Sequence, residues 1–231
     1  MISSIVFVPA APLMCPDVDV ESLLADERAA SIELISELQQ SADLVVVVGA
    51  GDNTTWFEEG GIGNTRAFGG VGNYSIGTGT QELPQALTVG ASVVSAAGWS
   101  GKVKALLVDK VTTSEQRRVL ADELVKGTED QQALIVVVGD GSATRTEKAP
   151  GYIQPDAVAF DESLIATIEG ADPQALLNID QITANRLWCR GLPAWQVIAN
   201  ACVNITPGFQ GTLVLQSSPF GVNYFVASWR V

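Results

Sequence analysis

The chain has 231 residues, 47% apolar and 17% charged, which is the composition of a folded globular protein and argues against disorder. Thirteen basic against twenty-six acidic side chains leave a formal charge of −13, so nucleic acid and anionic membrane surfaces are repelled at long range and neither is expected as a partner. There is no histidine, which excludes a Ser-His-Asp triad, a Cys-His pair, a His-rich zinc site and a two-histidine iron site.

In chain order, Ile2 to Val8 reads as a buried strand rich in β-branched and aromatic residues, ended by Pro9 to Pro12. Helical spacing of Leu23, Leu24, Ile32, Leu34, Ile35 and Leu38 predicts a helix from Val20 to about Gln40, with Asp19 as its N-cap. Leu44 to Val48 is an unbroken apolar strand of the kind covered on both faces in a parallel sheet. Gly49 to Glu82 is rich in glycine and without periodicity, so it reads as a very long ordered loop anchored by Trp56, Phe57, Phe68 and Tyr74. Pro84 to Trp99 reads as a helix whose small residues allow close packing on a sheet. Val103 to Val108 is a strand, and Thr113 to Lys126 a helix with a Thr113/Gln116 capping box and Gly127 at its end.

Ala133 to Val138 repeats the apolar strand pattern. Four shorter helices follow, at Phe160 to Glu169, Pro173 to Asn178, Asp180 to Arg190 and Pro193 to Val203. Thr212 to Gln216 and Val222 to Trp229 then read as a closing antiparallel hairpin. The alternation predicts an α/β fold over residues 1–231 as one domain, with a central, mostly parallel sheet and helices on both faces. No stretch of about eighteen apolar residues and no basic leader is present, so a cytoplasmic location is expected. Cys15, Cys189 and Cys202 lack the spacing of a disulfide framework or thiolate metal site; Cys15, near the first strand end, is a nucleophile only if a basic side chain lowers its pKa and otherwise a packed cysteine, and Cys189 and Cys202 read as core.

Ligands of open α/β sheets gather beyond the carboxyl ends of strands, which singles out Pro9 to Pro12, Gly49 to Asp52 and Gly139 to Arg145. Gly49-Ala50-Gly51 lacks the third glycine of a dinucleotide fingerprint. Asp52 and Asp140 are candidates for an acid/base pair or a divalent-cation site; acidic groups there also commonly cap turns. Arg145 and Lys148 after a glycine-rich turn suit an anionic group, against the alternative that Arg145, Glu147 and Lys148 form a solvated surface network. Trp188, Trp195 and Trp229 suit core packing or a subunit contact.

The strand ends Val8-Pro9-Ala10-Ala11-Pro12-Leu13 and Val48-Gly49-Ala50-Gly51 carry a resemblance over nearly the whole chain. So do Gly141-Ser142-Ala143 before Phe160-Asp161, Leu192-Pro193-Ala194-Trp195 and Phe220-Gly221-Val222-Asn223-Tyr224-Phe225. In these pieces the chain resembles the class III extradiol ring-cleavage dioxygenases, the LigB-like superfamily. The resemblance implies an iron site with one histidine after each of the first two strands and a Ser-His acid/base pair later. Here Ala10, Ala50 or Gly51, and Ser142-Ala143 stand at those positions, and the family's glutamate ligand has no assignable counterpart. Oxygen donors alone favour Mg²⁺ or Ca²⁺ over Fe²⁺, so no metal and no cofactor is expected.

The resulting expectation is a degenerate member that has lost ring cleavage and binds a small anionic or aromatic ligand, or a protein partner, around Ala10, Ala50, Gly51, Ser142, Arg145 and Lys148. The alternatives are a metal-independent or Mg²⁺-dependent enzyme using Asp52, Asp140, Arg145 and Lys148, and a structural subunit of an assembly. By analogy with the family, a homo-oligomer is compatible with either.

Overall fold

A computed structural model describes residues 1–206 and 208–231. Four parallel strands form its centre: β1 (Ile2–Val8), β2 (Leu44–Gly51), β6 (Lys102–Asp109) and β7 (Ala133–Val138). The seven-stranded sheet runs β3-β6-β2-β7-β1-β9-β8, where β3 is Thr55–Phe57, β8 is Gln210–Ser217 and β9 is Tyr224–Arg230. β3 pairs antiparallel with β6, and β9 antiparallel with both β1 and β8, so the sheet is mixed with a parallel core. The expected α/β architecture and its closing hairpin are what the chain adopts. Along the outer strand β8 the register with β9 shifts between Leu213 and Leu215, a local bulge that leaves Val214 turned to solvent.

The helices divide between the two faces. On one face lie α1 (Ala25–Leu38) and α2 (Gln85–Ala96), burying Leu34, Ile35, Leu87 and Val89 against Val6, Val45, Val136 and Val226. On the other lie α3 (Ser114–Thr128), α4 (Ala157–Glu169), α5 (Pro173–Leu177), α6 (Gln181–Arg186) and α7 (Leu192–Cys202). Their Leu120, Leu164, Leu176 and Val197 cover Phe7, Val46, Val137 and Phe225. Strands with apolar residues on both faces are thereby explained: β7 is buried at all six positions. α2 sits directly on β2, since a Cβ on Gly90 would lie 2.4 Å from Val47 Cγ1; its small residues make this approach possible.

Aromatic side chains fill the second face. Phe7 meets Trp229 edge-on at 5.2 Å between centroids, and Trp195 lies 5.4 Å from Phe225. Trp229 Nε1 donates to the Ile168 carbonyl at 2.6 Å, whereas Trp195 Nε1 is buried with no acceptor. Trp195 and Trp229 are thus core residues, while Trp188 is 41% exposed with Arg190 stacked over its ring.

Several sequence-based boundaries are corrected. α1 begins at Ala25, and Asp19 instead accepts the Leu23 and Leu24 amides in the preceding turn and pairs with Arg28. The Thr113/Gln116 capping box is present, but Gly127 lies inside α3, which runs on to Thr128. The stretch from Gly49 to Glu82 is no unstructured loop. It finishes β2, forms β3, and then folds into a separate hairpin of β4 (Gly60–Asn64) and β5 (Asn73–Gly77). Among the described residues, no helix is long and apolar enough to cross a membrane.

Candidate functional site

The chain leaves β1 and β2 toward the face of α1 and α2, but leaves β7, which lies between them, toward the opposite face. Both sides of β7 are therefore switch points, the places along the carboxyl edge where α/β sheets characteristically bind ligands. Val8 and Gly49 are both in register with Val138, so Ala10, Asp140 and Gly51, two residues further along each strand, emerge side by side at this edge.

Asp140 is half-buried at this edge, and the amide of Ala10 donates to its Oδ1 at 2.7 Å. Burial pushes its pKa up to about 7, with the Ala10 amide acting against the shift. The chain thus places a carboxyl group that holds its proton near neutrality where ligands of such folds bind. Tyr224, which opens β9 beside β1, is held above the ordinary phenol range by burial first and then by the charges of Asp140 and Glu27. Behind Asp140, Gly139 and Gly191 lie against the indole of Trp195. A Cβ on Gly139 would come within 2.7 Å of the Gly191 Cα, so both glycines are needed for the indole to fit. The Cys189 thiol donates toward the Asp140 carbonyl oxygen at 3.7 Å.

Next to this group is a buried polar knot. Asp161 is wholly buried and takes the Ser142 amide at 2.8 Å and the Ser142 hydroxyl at 2.6 Å; Arg145 approaches the same carboxylate at 3.5 Å. Arg145 also donates to Asn223 Oδ1 at 3.3 Å, which receives Gln216 Nε2 at 2.9 Å as well. Burial raises the pKa of Asp161, opposed by Ser142, Arg145 and Asn223. Ser142 and Arg145 were candidates for a ligand; both are turned inward and spent on Asp161, so they shape the turn after β7 rather than line an opening.

The remaining candidates separate. Ala50 and Gly51 belong to β2, paired with Val108 and Asp109; Ala50 packs on the face of α7 while Ala10 packs on the face of α1. Asp52 is a surface residue, its side chain 87% exposed and ion-paired with Lys110, which holds its pKa low. Lys148 is exposed. Asp52, Asp140 and Arg145 share no hydrogen-bond or ion-pair partner, and Lys148 is in no ion pair among the described residues. The three cysteines are free and buried, and burial raises the pKa of each: Cys15 to about 11, Cys202 to about 12, and Cys189 further still. None is an activated nucleophile.

Sequence reasoning missed Asp17 and Glu27. Asp17 lies after β1 and accepts hydrogen bonds from the Thr65 and Tyr74 hydroxyls and the Val71 and Gly72 amides. It ties the tip of the β4–β5 hairpin to the β1 end of the sheet. Burial would raise its pKa, but these four donors outweigh it and hold the carboxyl at about 2. Glu27 sits in the first turn of α1 and accepts the Ser217 hydroxyl.

No family model matches the chain, and no curated protein does. Among solved structures it is similar to the crystal structure of the uncharacterized protein JW3007 from Escherichia coli K12. The two share 13% identity and superpose with a TM-score of 0.58, covering 99% of this chain and 100% of that one. The likeness carries the fold alone.

The resemblance implies an iron site, and the residues present do not fit one. The chain has no imidazole, the positions after β1 and β2 hold Ala10, Ala50 and Gly51, and among the described residues no three Cys, Asp or Glu side chains gather as a metal cluster.

Proposed function

We propose that the protein is a LigB-like scaffold whose iron-dependent ring opening has been lost and which binds a small aromatic or carboxylate-bearing ligand at the end of β7. The observation that carries this reading is Asp140: a half-buried carboxyl with a pKa near 7, at a double switch point, fixed by the Ala10 amide. In its protonated form it donates a hydrogen bond to a ligand oxygen; once ionised it accepts one. A proton-bearing acid is compatible with binding an anion in a chain of strongly negative charge, since it adds no repulsion of its own.

Enzymatic use of Asp52, Asp140, Arg145 and Lys148 on an anionic substrate draws no support from the geometry, because Arg145 is turned to Asp161 and Asp52 to Lys110. A thermal-shift screen with benzoate, protocatechuate and short dicarboxylates at pH 6 and pH 8.5 tests the proposal. A stabilising ligand whose effect disappears in Asp140→Asn supports it. Stoichiometric iron uptake with oxygen consumption on catechols would sink it, as would ligand binding that Asp140→Asn leaves untouched.

A further inference from the structure

A groove of about 450 Å³ opens where the start of α1 meets the β8–β9 hairpin, lined by Ser22, Asp26, Glu27, Ser217, Ser218 and Pro219 among others. Its lining includes two carboxylates, three hydroxyls and no basic side chain. Glu27 is only 5% exposed, yet it makes no ion pair among the described residues. One of its carboxylate oxygens takes the Ser217 hydroxyl; among the described residues the other receives no hydrogen bond, and Glu27 lines the groove. Arg28, the neighbouring cation, is turned away to Asp19 and the Leu13 carbonyl.

Removing a carboxylate from water without a counter-charge is costly. The free amides of the first turn of α1 offset part of that cost, but they leave its second oxygen without a donor among the described residues. Asp26, exposed one residue earlier, adds a second negative charge at the rim. From this geometry we infer that the groove is a binding site for a small cationic amine, whose ammonium donates to Glu27 and to the Ser217 and Ser218 oxygens while its carbon chain lies against Leu23 and Pro219. An ammonium group has three donors and no acceptor, which matches a pocket built of acceptors and hydroxyls. The site involves neither Asp140 nor the β7 end and stands independently of the proposal above.

Isothermal titration with 1,4-diaminobutane, with 1-butanol as the uncharged control, tests this. Saturable 1:1 binding of the diamine alone is expected, at least tenfold weaker in Glu27→Gln and absent in Ser218→Trp, which fills the groove without changing charge. Glu27 sits in the first turn of α1, so Ser218→Trp is the deciding variant if Glu27→Gln is poorly folded. No saturable binding by the native chain overturns the inference. So does equal binding by either folded variant, which would mark the interaction as diffuse attraction to an acidic surface.

Discussion

Asp161 grips Ser142 at two atoms, accepting both its backbone amide and its hydroxyl inside the protein. The turn after β7 is consequently fixed from beneath, and the position of Asp140 two residues earlier depends on it. Gly141 lies between, where a Cβ would come within 2.9 Å of Asp161 Oδ1 and 2.6 Å of Asn223 Nδ2.

Replacing Asp161 by Ala leaves Ser142 without its acceptor and Arg145 without its counter-charge. Loss of a buried, hydrogen-bonded charge of this kind costs about 3–5 kcal/mol. Urea denaturation should show that loss for Asp161→Ala and a smaller one for Asp161→Asn, which retains an acceptor. A loss below about 1 kcal/mol for Asp161→Ala would contradict the structural role.

Asp140 predicts an alkaline weakness. A carboxyl with a folded-state pKa of about 7 and an unfolded value near 3.8 is protonated more readily in the native state. The penalty for burying its charge is therefore full above pH 7, fades as pH falls through 7, and is gone below about pH 4. Asp140→Asn removes the penalty and keeps the acceptor for Ala10. It should stabilise the protein by about 1–4 kcal/mol at pH 9 and by little at pH 4, as read from paired denaturation curves.

Asp17 predicts the opposite at low pH. Its folded-state pKa of about 2 lies below the unfolded value, so its contribution is complete above about pH 4 and is lost as pH falls through 2. Asp17→Ala should cost about 2–4 kcal/mol at pH 7, given four hydrogen bonds to one charged acceptor. Amide hydrogen exchange should quicken most in 60–77, the hairpin that Asp17 tethers. Gly70→Ala should partly reproduce this, because its Cβ would come within 2.3 Å of Asp17 Oδ2.

How much of this was legible depended on how local each cause was. Leu44 to Val48 and Ala133 to Val138 announced themselves because a strand covered on both faces must be apolar at every position. The Thr113/Gln116 cap was readable because both partners lie within one turn. The β4–β5 hairpin was not, because glycines carry no alternating pattern and its hold on the body comes from Asp17, far away in sequence. Gly49 and Gly51 read as the start of a loop, yet they extend β2 by pairing with Leu107 and Asp109, where Ala86 and Leu107 leave no room for a side chain. Of the candidate site, the strand ends and Asp140 were visible. The inward turn of Ser142 and Arg145 required knowing that Asp161 lies beneath them, and Glu27 looked like any polar residue of an amphipathic helix.

The irregular pairing on β8 bears on how copies of the chain behave in a crowded solution. Gln210 to Ser217 is an outermost strand with neither lysine nor proline to discourage a neighbour from docking along it. The extra residue at Val214 breaks the straight row of amides and carbonyls that an incoming strand would need. Shortening the chain by that one residue would straighten the ladder, and light scattering should then reveal growing aggregates where the native sequence remains dispersed.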